Sequence, residues 1–350
     1  MLTERKVPFF KAHPSPFTGL VGAFASADDL TLHVVQDDGC ARADGSLSSA
    51  MKPSAAELCV LLALGVSATG AHGQDKGLAA KYPKDAGISR DQAVLFHDDF
   101  EDGKIGAAWD EVNRRKGRGS TDAGAPVEAE TAGAVARGKR SAKVQLRKDG
   151  HEDVTFVKRL APGHDELHMR CYIRYGSDYG YHGHGGSGFM ADAGKGGFKG
   201  AGKAPDGDRF FWATLEPIGP RQWNPPGALI FYAYWWKMKA DGRGNHWGNW
   251  FRPEPDRVPE RETWVCIEWR VKANTAGKDD GELDCWIDGR KCGAFRGINW
   301  RSTDALKVNK VQLSLWLEPA AYARTGGGTT RTVWYDDVVV ATRYIGPKSE

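Results

Sequence analysis

From Val94 onward, apolar and polar residues alternate with a period of two over short runs, and helical periodicity is almost absent. The runs are VLFHDDF (94–100), AKVQLR (142–147), DVTFVKRL (153–160), ELHMRCYIRYG (166–176), RFFWATLEPIG (209–219) and ALIFYAYWWKM (228–238). TWVCIEWRVKAN (263–274), GELDCWIDGRKCG (281–293), KVNKVQLSLWLEP (307–319) and TRTVWYDDVVVATRYI (330–345) complete the set. Gly, Pro, Asn and Asp punctuate them, as turns require. Ten such strands predict an all-β chain, an antiparallel β-sandwich of the jelly-roll type. Two Gly-rich stretches, 176–208 and 239–262, are longer than simple connections need and read as cleft walls. In CWIDGRKC, Asp288-Gly289 reads as a two-residue hairpin turn that sets Cys285 opposite Cys292. A disulfide between them is one reading and free thiols are the other.

Alternation also assigns faces. In 228–238, Tyr232, Tyr234 and Trp236 share one face, opposite Phe231, Ala233 and Trp235. In 166–176, His168, Arg170, Tyr172 and Arg174 oppose Met169, Cys171 and Ile173. In 307–319, Gln312, Ser314, Trp316 and Glu318 oppose Val311, Leu313, Leu315 and Leu317. The apolar faces predict the interior between two sheets. The other faces carry Tyr, Trp, Arg and Gln, which suits a sugar-binding groove better than a merely solvated surface. The expected groove contacts are Arg170, Tyr172, Arg174, Trp212, Trp236, Lys237, Gln312 and Trp316.

Composition sharpens this picture only in part. Thirteen Trp and an aromatic content of 11% suit the stacking of sugars on rings. A net charge of +3 gives no argument for nucleic acid. Met51 opens MKPSAAE, followed by the apolar run LCVLLALGV (58–66) and the small residues SATGAHGQ. That is the layout of a secretory signal, read as 51–73, with 1–50 as a non-native extension. The apolar run is too short to span a bilayer. Residues 74–93 then form an arm or linker and 94–347 the sandwich, expected to be secreted or periplasmic with no membrane span after cleavage. Of six cysteines, loss of Cys40 and Cys59 leaves four, in a compartment that permits disulfides.

The order of GKAPDGDRFFWATLEP, Tyr232-x-Tyr234, WRVKANTAGKDDGELDCWIDGRK and WYDDVVVATRYIGP resembles the jelly-roll alginate and glucuronan lyases of the concanavalin A-like superfamily. The resemblance covers roughly Val94 to Pro347. It implies a polysaccharide lyase that cleaves a uronate-containing, acidic polysaccharide by β-elimination. It also implies catalytic roles for Tyr232 and Tyr234. Two departures stand out. Ser187 occupies the place of a lysine that some members carry, and Trp212-Ala213-Thr214 replaces an expected Ser-x-Arg.

The implied chemistry has three tasks: neutralise the uronate carboxylate, remove the C5 proton and protonate the leaving oxygen. Arg170 and Arg174 suit the first, because a guanidinium grips a carboxylate with two parallel hydrogen bonds. Tyr234, with Tyr232 as its alternate, is the expected base and acid. A phenol titrates near pH ~10 unless its surroundings depress it. Otherwise His182 or His184, each ordinarily titrating near ~6.5, removes the proton. No cofactor is required. Asp98, Asp99, Glu101, Asp336 and Asp337 offer oxygens of the type that calcium takes, and read either as a structural calcium site or as ordinary turn and strand-end acids. Zinc at His182, His184 and Asp192 is a further option. Two other functions remain open. One is a glycoside hydrolase using Glu216, Glu268 or Glu318. The other is a non-catalytic binding domain with Trp212, Trp236, Trp247, Trp250 and Trp316 as platforms.

Overall fold

The computed structural model describes residues 76–349, apart from 118–125, 132–133, 137, 195–197, 220–226, 318–319 and 327. The expected extension (1–50) and signal segment (51–73) lie outside the described residues. Fifteen strands appear among the described residues. In chain order they are β1 (Val94–Asp98), β2 (Glu111–Lys116), β3 (Val127–Glu130), β4 (Ser141–Arg147) and β5 (His151–His164). Next come β6 (Glu166–Tyr175), β7 (Gly185–Asp192), β8 (Phe210–Pro217), β9 (Leu229–Tyr234) and β10 (Asn249–Phe251). The last are β11 (Trp264–Lys272), β12 (Gly281–Ile287), β13 (Arg290–Ile298), β14 (Val308–Trp316) and β15 (Thr330–Ala341).

They form two antiparallel sheets, the jelly-roll sandwich that the alternation predicts. The front sheet runs β10-β9-β8-β7-β14-β5-β2. The back sheet runs β13-β12-β11-β6-β15-β4-β3, with β1 also paired to β15. Inward-facing Val311, Leu313 and Leu315 of β14 and Leu167, Met169, Cys171 and Ile173 of β6 are fully buried. Each large apolar side chain so buried contributes roughly 1.5–3 kcal/mol. At the centre, Trp269 of the back sheet packs on Phe189 and Phe231 of the front sheet, with ring centroids 4.4 and 5.2 Å away. Its indole N–H donates to Ser187 Oγ at 2.9 Å, so a polar pair pins the two sheets together in the core. No helix among the described residues is long and apolar enough to cross a membrane.

Three elements differ from expectation. The Gly-rich stretch 176–208 contains β7, a central strand between β8 and β14, where a loop was expected. A Cβ on Gly188 would lie 2.8 Å from Gln312 Cγ and 3.0 Å from Thr214 Cγ2, so glycine here reflects crowding. The run 228–238 stops being strand at Tyr234, which takes Trp236 and Lys237 out of its alternation. GELDCWIDGRKCG folds as the β12–β13 hairpin, and Asp288 and Gly289 both take positive φ (49° and 76°), as a type I′ turn demands. A bulge follows Cys285, whose partner is Gly293 and not Cys292. This corrects the expected register, although the two sulfurs still stand 3.1 Å apart across the hairpin.

Residues 76–93 dock on the outer face of the back sheet. Leu78 and Ile88 pack on Val339 and Ile345. Asp85 forms a buried ion pair with Arg170 of β6, whose guanidinium also donates to the carbonyls of Gly346 (3.3 Å) and Asp337 (3.1 Å). On the same face, the Tyr172 hydroxyl accepts the Lys348 amide at 3.0 Å. Arg174 pairs with Glu262 and lies 4.9 Å from the Trp334 ring. Arg170, Tyr172 and Arg174 therefore serve the back of the molecule, contrary to their expected place in a groove.

Removing one member of a buried ion pair strands the other. Arg170→Met should lower stability by about 3–5 kcal/mol, read from the urea midpoint, and adding Asp85→Leu should recover part of it. An unchanged midpoint in the single variant would show that the pair does not hold the arm.

Candidate active site

The outer face of the front sheet carries one cross-strand row: Trp250 of β10, Tyr232 of β9, Thr214 of β8, Gly188 of β7 and Gln312 of β14. Directly opposed residues in antiparallel strands share a face, so the row is fixed by register. Around its middle lies a cleft of about 470 Å³, lined by His184, Glu216, Tyr232, Tyr234, Gln312 and Trp316 among others. Gly188 leaves its floor bare at the centre. Gly248 does a similar service beside it, since a Cβ there would sit 2.6 Å from the Tyr232 ring.

Two polar pairs occupy the cleft. The Tyr232 and Tyr234 hydroxyls are 3.3 Å apart. His184 Nδ1 lies 3.3 Å from Glu216 Oε1, and Thr214 Oγ1 donates to Glu216 Oε2 at 2.9 Å. His184 takes a left-handed φ of 53°, and its carbonyl accepts the Trp316 amide at 2.9 Å. Its ring stands edge-on to Tyr232 and Trp316, with centroids 5.5 and 5.1 Å away. Trp212 stacks parallel to Tyr234 at 6.0 Å, and Phe198 meets it edge-on at 5.6 Å.

Electrostatics separates these groups. Burial alone would depress His184, but the Glu216 charge and hydrogen bond outweigh it and raise its pKa above 6.5. Glu216 is 4% exposed. Burial would raise it, yet His184 and Thr214 hold it below the usual carboxylate value. Tyr232 is pushed far up, by burial first and then by Tyr234 and Glu216. A phenolate at Tyr232 is thus disfavoured, against the expectation that its surroundings would depress it.

His182 differs from His184 despite standing two residues away. Its ring lies on Tyr179 at 4.6 Å, and both ring nitrogens are buried without a hydrogen-bond partner among the described residues. Burial, then the neighbouring His184, drives its pKa down to about 3. Burial thus favours its neutral form at ordinary pH, and it lines a small pocket beside the cleft together with His184. Ser187, at the position of the missing lysine, faces the core and Trp269.

Of the expected groove residues, Trp212, Gln312 and Trp316 line the cleft with the two tyrosines and His184. Trp236 and Lys237 do not line it. The Trp236 ring lies against Gly207, while Lys237 Nζ sits 5.3 Å over that ring and 3.6 Å from Asp279. Glu268 is on the back sheet, accepting the amides of Ile345 and Gly346 at 2.8 and 2.7 Å. Glu318 lies outside the described residues. The pairing of Glu216 with His184 was not anticipated, although the alternation in RFFWATLEP sets Trp212, Thr214 and Glu216 on one face.

The carboxylates offered for calcium are hydrogen-bonded or ion-paired within the protein. β1 does run beside β15, with Asp98 opposite Val338. Yet Asp98 accepts the Phe100 amide and the Trp109 indole at 3.0 and 2.8 Å. Asp99 accepts the Glu101 amide at 3.3 Å, and Glu101 those of Lys139 and Arg140. Asp336 accepts the amides of Ala136 and Asp337, and Asp337 pairs with Lys348 at 2.6 Å. Among the described residues no three His, Cys, Asp or Glu converge to hold a metal. Asp192, offered for zinc with the two histidines, is instead paired with Lys310 at 2.5 Å.

No family profile matches the chain, and no curated protein does. Among solved structures, an alginate lyase from a Chlorella virus aligns over 71% of this chain and 100% of its own, at 16% identity and a TM-score of 0.52. An endo-β-1,4-glucuronan lyase from the fungus Trichoderma reesei aligns over 73% and 100%, at 18% identity and a TM-score of 0.47. The chain shares the jelly-roll fold of polysaccharide lyases; at such identities the likeness speaks for fold alone.

The two histidines should separate in an NMR titration. His184 is expected to titrate above 6.5, and His182 to stay neutral down to about pH 3. Glu216→Gln should lower the His184 value, because the raising charge is gone. An unmoved His184 would contradict the pairing.

Proposed function

We propose that the chain is a polysaccharide lyase that opens a uronate-containing polymer by β-elimination. The observation that carries this reading is one cleft holding a phenol pair 3.3 Å apart beside an imidazole–carboxylate pair. The latter is the arrangement that makes a histidine a stronger base. With Nδ1 engaged by Glu216, the His184 Nε2 lone pair removes the C5 proton of the uronate. The C4–O bond then breaks as the C4=C5 double bond forms. Tyr232, kept neutral by burial, gives its proton to the departing oxygen, and Tyr234 hydrogen-bonds that hydroxyl. The uronate carboxylate must be relieved of charge for C5 to become acidic. Arg170 and Arg174 are on the other sheet, so the Gln312 amide is the donor assigned to it. Secretion, on the reading of 51–73 as a signal, would bring the protein to such polymers outside the cell.

The groove also suits a carbohydrate-binding module, since Trp212 and Trp316 line it. The readings part on turnover. With a panel of uronate polysaccharides, a lyase raises the ultraviolet absorbance of the unsaturated product. Tyr232→Phe should then lower kcat by roughly 10²–10⁴-fold, the usual worth of a general acid, while polymer binding persists. The pH profile gives a second check. Activity should rise with pH through the raised His184 pKa, as the imidazole loses its proton, and Glu216→Gln should move that limb to lower pH. Binding to a polymer with no absorbance change on any would favour the module.

A further inference from the structure

The cleft continues in both directions along the front sheet, and its two arms differ in chemistry. Towards β10, a pocket of about 240 Å³ shares His184, Glu216 and Tyr232 with the cleft and is bordered by Trp247 and Trp250. Towards β2, a pocket of about 460 Å³ shares Asp153, Thr155 and Gln312 with the cleft and is bordered by Glu111, Arg114, Arg115 and Lys310; Arg115 is paired with Glu152 and Lys310 with Asp192. The proposed chemistry therefore sits between two extensions of one groove.

The tryptophan arm is prepared for a flat, apolar ligand face. Trp247 and Trp250 are 52% and 38% exposed, unusual for large apolar side chains with no surface to cover. Trp250 stands directly across from Tyr232. Trp247 is held in place: its indole N–H donates to Asp241 at 3.1 Å, and its ring edge lies 3.6 Å from where a Cβ on Gly202 would be. The His246 amide bonds to the Gly202 carbonyl at 3.0 Å, tying the stretch after β7 to the one after β9. Fixing these rings in advance lowers the ordering cost of binding. A pyranose presents a face of C–H groups that an indole covers well. The arm already holds the Glu216 carboxylate, which suits an uncharged ring better than a second carboxylate.

We propose that the Trp247–Trp250 rim is a stacking subsite for a neutral pyranose and that uronate residues extend towards Arg114. The substrate would then be a mixed polymer in which a uronate is flanked by a neutral sugar, not a pure polyuronate. The substrate class rests on the lyase reading above; the neutral-sugar subsite does not.

Calorimetric titration with neutral β-1,4-linked tetrasaccharides (gluco-, manno- and xylo-) and with a tetrauronate tests this without turnover of the neutral probes. At least one neutral tetrasaccharide should bind. Trp247→Ala with Trp250→Ala should weaken it about tenfold, the loss typical of truncating an anchoring aromatic. Trp247→Phe with Trp250 intact, which keeps both flat rings, should retain most of the affinity. Tetrauronate affinity should change little in the tryptophan variants and fall in Arg114→Ala. The proposal is overturned if no neutral tetrasaccharide binds, or if the double variant weakens the tetrauronate as much as the neutral probe. Neutral-sugar binding that depends on the tryptophans, with no unsaturated product from any polymer, would keep the subsite and remove the lyase reading. Unsaturated product with no such dependence would do the reverse.

Discussion

The site is organised by the need to compensate a carboxylate buried in the floor of the front sheet. Glu216 is 4% exposed, and an ionised carboxylate so placed is costly unless it is paired and hydrogen-bonded. Thr214 supplies one bond and His184 the other. Meeting that need ties His184 to β8, while its carbonyl ties it to β14 through Trp316. The imidazole is thereby held beside Tyr232. His182, two residues earlier but without a carboxylate partner among the described residues, is driven toward the neutral form. The same loop thus holds one histidine paired with a carboxylate and one packed on a tyrosine ring.

Much of this was legible in the sequence. Alternation placed Tyr232 and Tyr234 on one face, set Gln312 and Trp316 outward, and marked the β12–β13 turn by Asp288-Gly289. The central strand β7 was not legible. Its first two outward positions, Gly186 and Gly188, are glycines, which lower strand propensity, and the reason is long-range: Gly188 lies where the Gln312 and Thr214 side chains converge. Local patterns carry no record of such a crowd. The shift of one residue between Cys285 and Cys292 has a similar origin, in a bulge that spacing does not reveal.

The misplaced basic strand has a different cause. Alternation says which residues share a face, but a sandwich has two outer faces, and β6 belongs to the back one. The Arg170 guanidinium is consumed by Asp85 and by the carbonyls of Gly346 and Asp337. Only the pairing of sheets, which is non-local, separates a groove from the surface that anchors the arm. Trp236 fell out of the site for a simpler reason: the strand ends at Tyr234, and the periodicity that assigned its face ends with it.

The front groove joins a phenol pair, an imidazole–carboxylate pair and aromatic walls, the combination on which the proposed proton removal and return rest. It also contains two carboxylates, Asp153 and Glu216, which a glycosidase would use with water. Digestion of a cleaved polymer in oxygen-18 water, followed by mass spectrometry of the fragments, distinguishes the chemistries directly. Elimination breaks the C4–O bond without adding water, so fragments reduced to alditols at once, before the anomeric oxygen exchanges with solvent, should carry no label and one should end in an unsaturated uronate. One oxygen-18 atom per cleaved bond, with no unsaturated end, would contradict elimination and make Glu216 part of a hydrolytic pair.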